Sequence, residues 1–329
     1  NPTLTDVIFS GNRADDKGGG ISLYVSNPTL TDVIFSGNMA DDGGGGMYLN
    51  SSHAILTNVI ISGNTSYYGG GMELNYSNPT ITNVTISGNY ATVDGGGIYS
   101  AYYSNPTLTH IAISGNTAES KGGGVYIYSN NELSFVSEIL ISDNYSIGHG
   151  AGIFLGAGAN INLQHATIAG NMVGEGDVFG AGIYSDGGTA NLINSIVYYN
   201  RREGDFGINY NLNGYTMDML EEFNVIYSDI EGDENWIPEG EANISLDPEF
   251  TDLEYSDYTL QEGSPCIDMG TVIEDMEYCG STPDMGAYEY ITEDCMEEEC
   301  GAELADVTGD GQINVLDLVQ ISYYVLELS

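Results

Sequence analysis

Apolar residues fall two apart inside short runs along most of the chain, and the runs themselves recur. NPTLTDVIFSGN from Asn1 returns unchanged from Asn27, then altered as HAILTNVIISGN from His53, NPTITNVTISGN from Asn78 and NPTLTHIAISGN from Asn105. The Asn closing each unit stands at 12, 38, 64, 89, 116, 144, 171 and 200, at spacings of 26, 26, 25, 27, 28, 27 and 29. Five residues before it lie Val7, Val33, Val59, Val84 and Ile111; three before it lie Phe9, Phe35, Ile61, Ile86 and Ile113. Two columns separated by two residues are the alternation of a strand with one face inward. A glycine run follows each of the first five units and leads into a second strand, with inward pairs such as Ile21/Leu23, Met47/Leu49 and Met72/Leu74. A short third strand around PTL completes a coil. A fixed period in the twenties signals a solenoid, in which each unit buries its apolar face against its neighbours. Glycine runs and Asn-Pro leave no room for a helix in each unit. The pattern predicts an all-β fold, a parallel β-helix over residues 1–265.

The repeated polar positions have structural work to do. The closing Asn residues stack one coil apart, about 4.8 Å along the axis, where amides can bond as in side-chain ladders of stacked sheets. The glycines permit positive φ and close approach at a corner.

Composition narrows the partners. Asp and Glu number 48 against 5 Lys and Arg, a net charge of −43, in a chain of 329 residues. That balance argues against nucleic acid and anionic membrane surfaces, and against acidic polysaccharides. No run of 18 apolar residues occurs, so neither a transmembrane helix nor membrane insertion is expected. The chain reads as a processed or trimmed secreted protein. Its cysteines, Cys266, Cys279, Cys295 and Cys300, suit two disulfides in an oxidising compartment; proximity favours pairing 266 with 279 and 295 with 300.

The FSGN and GGGI alternation is similar to the short repeats of chlamydial polymorphic outer-membrane proteins and to bacterial right-handed parallel β-helix repeats. LDPEFTDLEYSDYTLQEGSPCIDMG from Leu246 and GSTPDMGAYEY from Gly280 resemble the closing segment of secreted bacterial β-helix proteins of the choice-of-anchor type. These resemblances imply a right-handed β-helix, with residues 266–300 as closing segment and cysteine-bearing link, and an extracellular or cell-surface location.

Residues 301–329 carry a different signal. DVTGDGQINVLD offers oxygen ligands at Asp306, Thr308, Asp310, the Gln312 carbonyl, Asn314 and Asp317, with Gly311 at the turn. This is the spacing of an EF-hand-like calcium loop, and helical spacing follows it. It resembles one half of a type I dockerin; dockerins carry two such halves, and one is present.

Other constellations bear on function. Asp15, Asp16, Asp41 and Asp42 stack in adjacent corners, where they repel unless a cation intervenes; calcium is one such cation, and Arg13 and Lys17 are others. Tyr48, Tyr99, Tyr126, Phe154 and Tyr184 form an outward column, broken by Ser22 and Glu73, suited either to stacking on sugar rings or to cross-strand stabilisation. Six residues before the closing Asn, Asp6, Asp32, Asn58, Asn83, His110, Glu138, His165 and Asn194 form a polar column. It reads as an acid/base pair for a glycosidase or as a solvated face. No Ser–His–Asp or Cys–His signature is present, and an enzyme is not supported. The expectation is a calcium-stabilised secreted or cell-surface structural protein acting as scaffold, adhesin or filament subunit. In the filament case its β-helix ends form a homo-oligomer, because Asn1 begins in mid-pattern and leaves a strand edge to pair. The alternatives are a carbohydrate-binding or carbohydrate-active β-helix for a neutral glycan, and a dockerin-type cargo protein.

Overall fold

The computed structural model describes residues 1–128, 131–176, 178–204, 211–214, 222–232, 239–273, 278–292 and 295. Within them the chain winds as an all-β, right-handed parallel solenoid of about seven turns, built on three parallel sheets. Register is kept residue for residue: Ile21 pairs Met47, Met47 pairs Met72, Met72 pairs Ile98 and Ile98 pairs Val125. The lumen is filled by the predicted columns. Leu30, Leu56, Ile81, Phe35, Ile61, Ile86, Met47, Leu49, Met72 and Leu74 are all wholly buried.

The strands are divided differently from the sequence expectation. The PTL segment and the VIF segment belong to one sheet, as in Thr3–Thr5 and Ile8–Ser10, and later coils fuse them into single strands such as Ile55–Ser62 and Thr80–Ser87. The third sheet is made instead by short strands just after the closing Asn, including Arg13–Ala14, Met39–Ala40 and Thr65–Tyr68. The bend inside the first sheet falls on the polar column. Asp6, Asp32, Asn58, Asn83, His110, Glu138, His165 and Asn194 all have φ between 49° and 55°. Left-handed backbone is costly for most side chains, and Asn and Asp tolerate it best. Backbone conformation therefore accounts for most of that column's composition.

The closing Asn residues form a hydrogen-bonded spine. Each Nδ2 donates to Oδ1 of the next Asn in the series, one coil on from Asn12 through Asn38, Asn64, Asn89, Asn116, Asn144 and Asn171 to Asn200, and then from Asn200 to Asn211 within the same turn, at 2.8–3.0 Å. From Asn38 onward the second Nδ2 hydrogen reaches a carbonyl of the previous coil, as from Asn64 to Phe35 and from Asn89 to Ile61. Every amide points the same way, so the series ends on a donor. Asn211 Nδ2 gives that hydrogen bond to Glu231 Oε2 at 3.0 Å, and Arg201 holds Glu231 with two contacts of 2.7 and 2.8 Å. A carboxylate at the donor end is a charge-assisted terminus. The glycine run makes room for the spine: a Cβ on Gly46 would press on the Gly71 carbonyl, Ile61 and the Asn64 amide.

After the parallel pairings of Ile196 with Asp229, Val197 with Ile230 and Asp229 with Ile244, an antiparallel hairpin forms from Phe250–Asp252 and Asp257–Leu260. With the segment that follows, it packs against the outside of the first sheet in a second apolar cluster of Phe250, Tyr258, Leu260, Cys266, Met285, Ala169 and Ile196. Gly286 N–H donates to the Asn194 carbonyl, Ala287 N–H to Thr167 Oγ1, and Tyr258 to Asp143.

The cysteine pairing departs from the expectation. Cys279 is bonded to Cys295, while Cys266 is a buried thiol. Cys266 lies in the apolar seam beneath the closing segment, where its Sγ donates to Asp229 Oδ2 at 3.3 Å. Nearness in sequence is a poor guide here because the closing segment turns Cys279 away from Cys266 and toward Cys295. Cys300 lies outside the described residues.

Candidate functional site

The aromatic column exists as a stack, but the structure corrects its assignment as a glycan surface. Tyr99 and Tyr126 lie 5.0 Å apart at 10°, Tyr126 and Phe154 4.9 Å at 7°, and Phe154 and Tyr184 5.5 Å at 21°. None of Tyr48, Tyr99, Tyr126, Phe154 and Tyr184 is more than 9% exposed. Corner residues fold back and cover them: Lys17 lies over Tyr48, Tyr68 against Tyr99, Lys121 over Phe154 and His149 on Tyr184. Each stacked pair adds about 0.5–1.5 kcal/mol beyond its area. The column is a second core on the outer face of the sheet. Burial pushes the Tyr99 and Tyr126 hydroxyls well above the ordinary range.

Part of the charge at the acidic corners is relieved from within the chain. Arg13 meets Asp41 at 2.7 Å and Asp15 at 3.9 Å, and Lys17 meets Asp42 at 3.4 Å. Asp15 is almost fully exposed, and no group of three or more metal-ligating side chains occurs among the described residues. Arg13 and Lys17 thus supply cations that relieve Asp15, Asp41 and Asp42. Asp306, Thr308, Asp310, Gln312, Asn314 and Asp317 lie outside the described residues.

The polar column is brought to two different fates by the closing segment. His165 and Asn194 are covered: Asn194 Nδ2 contacts His165 Nε2 at 2.8 Å and also donates to the Thr271 carbonyl, while its Oδ1 accepts from Thr271 N–H. Burial lowers the His165 pKa to about 4, so this imidazole is neutral near pH 7. His110 and Glu138 stay outside the cover, with Nε2 and Oε2 2.8 Å apart. They line a cleft of about 270 Å³ with Asn83, Thr85, Ala287 and Tyr288. Its floor is the outer face of the first sheet and one wall is the closing segment. This arrangement offers an amide, an imidazole, a carboxylate and a phenol ring to one small polar molecule. Sequence alone brought His110 and Glu138 together; the wall at Ala287 and Tyr288 had no periodic signal.

Residues 19–206 match the right handed beta helix region family. The chain belongs to that family. Residues 6–24 match the Chlamydia polymorphic membrane protein repeat. No curated protein and no solved structure gave a match. The β-helix and polymorphic membrane protein repeats are consistent with a surface or secreted protein.

Proposed function

We propose that this β-helix is a secreted or cell-surface structural protein, a rigid scaffold or adhesin stalk whose C-terminal loop at Asp306–Asp317 binds calcium. The observation that carries the reading is the unbroken Asn spine from Asn12 to Asn211, closed by Glu231 and Arg201. It holds successive coils in one register along the axis, which is what a load-bearing spacer requires. Excess carboxylate keeps such a surface hydrated and apart from anionic membranes and nucleic acid. Light scattering on a sizing column, in millimolar calcium and with chelator, separates the two uses. A calcium-dependent rise to large species supports a filament subunit, whereas a monomer in both conditions favours a solitary stalk. Absence of calcium binding in calorimetry would remove calcium from the proposal.

A second reading has its own observation, the cleft of Asn83, His110, Glu138 and Tyr288. A neutral saccharide suits it, with hydroxyls for the polar groups and an apolar ring face for Tyr288. Binding to a neutral glycan panel, lost in His110→Ala and Tyr288→Ala, would support it; unchanged binding in both would remove the cleft.

A further inference from the structure

The aromatic stack is interrupted at Glu73, and the interruption is a buried polar cluster. Glu73 is 2% exposed and Asn75 4%. Both project from the strand Met72–Asn75 in the third coil. Lys17 reaches them from the first coil, two turns away, and places Nζ 2.8 Å from Glu73 Oε1. Asn75 Nδ2 lies 2.7 Å from the same oxygen. The lysine amine and the Asn75 amide therefore meet at one carboxylate oxygen. Tyr48 closes the site, with its ring 4.6 Å from Nζ and its hydroxyl 3.2 Å from Asn75 Nδ2. Asn50 Nδ2 donates to that hydroxyl at 2.9 Å. Asp42 stands at the solvent side, 3.4 Å from Nζ.

Two features mark this as more than an ion pair. Glu73 Oε2 and Asn75 Oδ1 are both buried without a hydrogen-bond partner, in a fold that otherwise pairs its column amides along the whole spine. Orphaned buried oxygens are costly, so their retention points to chemistry. Gly43 is also fitted to the carboxylate, since a Cβ there would overlap Glu73 Oε2.

We infer that Lys17 and Asn75 become joined by an intramolecular amide bond, with Glu73 carrying the protons, so that the first and third coils are covalently stapled. The Lys17 ammonium passes one proton to Glu73, and the freed lone pair attacks Asn75 Cγ. Glu73 then protonates Nδ2, the Cγ–Nδ2 bond breaks and ammonia leaves. Nζ loses its second proton, directly or through Glu73. One amine and one primary amide become one secondary amide and one ammonia, with no oxidant, metal or cofactor.

The electrostatics set the resting state. Burial raises the Glu73 pKa against the opposing hydrogen bonds of Lys17 and Asn75. For Lys17, burial disfavours the charge, but the hydrogen bond and attraction of Glu73 outweigh it and raise its pKa. The ion pair is thus the resting form, and reaction draws on the neutral amine and acid that a low dielectric favours. Self-modification is accordingly slow and happens once.

Intact-mass spectrometry and peptide mapping of the purified full chain test the inference. The expected result is a mass lower by one ammonia, with a branched peptide joining Lys17 to Asn75. Lys17→Arg, which keeps the charge but cannot form the amide, regains the full mass, as does Asn75→Ala. Glu73→Gln retains the full mass while remaining folded by circular dichroism. Full mass in the parent after prolonged incubation overturns the inference. So does an ammonia loss that maps elsewhere, such as a cyclised Asn213–Gly214 pair, or that persists in Lys17→Arg.

Discussion

Asn89→Ala isolates the contribution of the spine. Asn89 is 1% exposed and sits mid-solenoid. Its Oδ1 accepts from Asn64 N–H and Asn64 Nδ2, each at 2.9 Å, and its Nδ2 donates to the Ile61 carbonyl and to Asn116 Oδ1, each at 2.9 Å. Truncation leaves the Asn64 backbone donor and the Ile61 carbonyl without those partners. Asn64 Nδ2 keeps its bond to Phe35 O, and Asn116 Oδ1 keeps the Asn89 N–H. One orphaned backbone donor at about 1–3 kcal/mol, plus three groups that keep another partner, Ile61 among them within its paired strand, gives a loss of about 2–4 kcal/mol. Asn12→Ala is the internal control. Asn12 is exposed and meets only the Asn38 Oδ1 side of the spine, so about 1 kcal/mol or less is expected. Urea unfolding followed by far-ultraviolet circular dichroism reads both, with hydrogen exchange at Asn64 and Ile61 to localise the change. Equal losses in the two variants, or a loss under about 1 kcal/mol for Asn89→Ala, would refute the view that the spine carries the coil stack.

Three further predictions concern the bend, the closing segment and pH. Asn58→Val, at φ 55°, should cost roughly 1–2 kcal/mol, whereas Asn58→Gly should be near neutral; denaturant midpoints compare them. Non-reducing peptide maps should show Cys279 linked to Cys295, with Cys266 alkylated only after unfolding, and reduction should free a loop of sequence separation 16. That release corresponds to about 3 kcal/mol of local stability, read as faster exchange over residues 279–292. Burial raises the Asp229 pKa from 3.8 to about 7, so the folded chain holds this proton where the unfolded chain has lost it. Asp229 therefore favours the fold at low pH and loses that contribution as pH rises from about 4 through 7. Asp229→Asn should flatten that part of the stability profile between pH 5 and pH 8, and an unchanged slope would exclude Asp229 as its source. His165, depressed to about 4, works the other way, its contribution falling as pH drops from about 6.5 toward 4.

What repeats with the coil was readable from the sequence. The lumen columns, the Asn spine and the glycine corners each recur at one offset, and a parallel solenoid places equal offsets in contact, so period alone fixes who stacks on whom. Even there, one column was legible in position but not in cause: Asp6, Asp32 and Asn58 mark a left-handed bend that looks, in letters, like a solvated face. What crosses the repeat was decided only by the tertiary structure. Lys17 over Tyr48 and against Glu73, Tyr68 against Tyr99 and His149 on Tyr184 turn an outward aromatic column into core, because corner segments of unequal sequence fold back over it. The Cys279–Cys295 bond and the wall of Tyr288 beside His110 depend on a closing segment that appears once. A contact made once leaves no period, and only the folded chain shows which residues it joins.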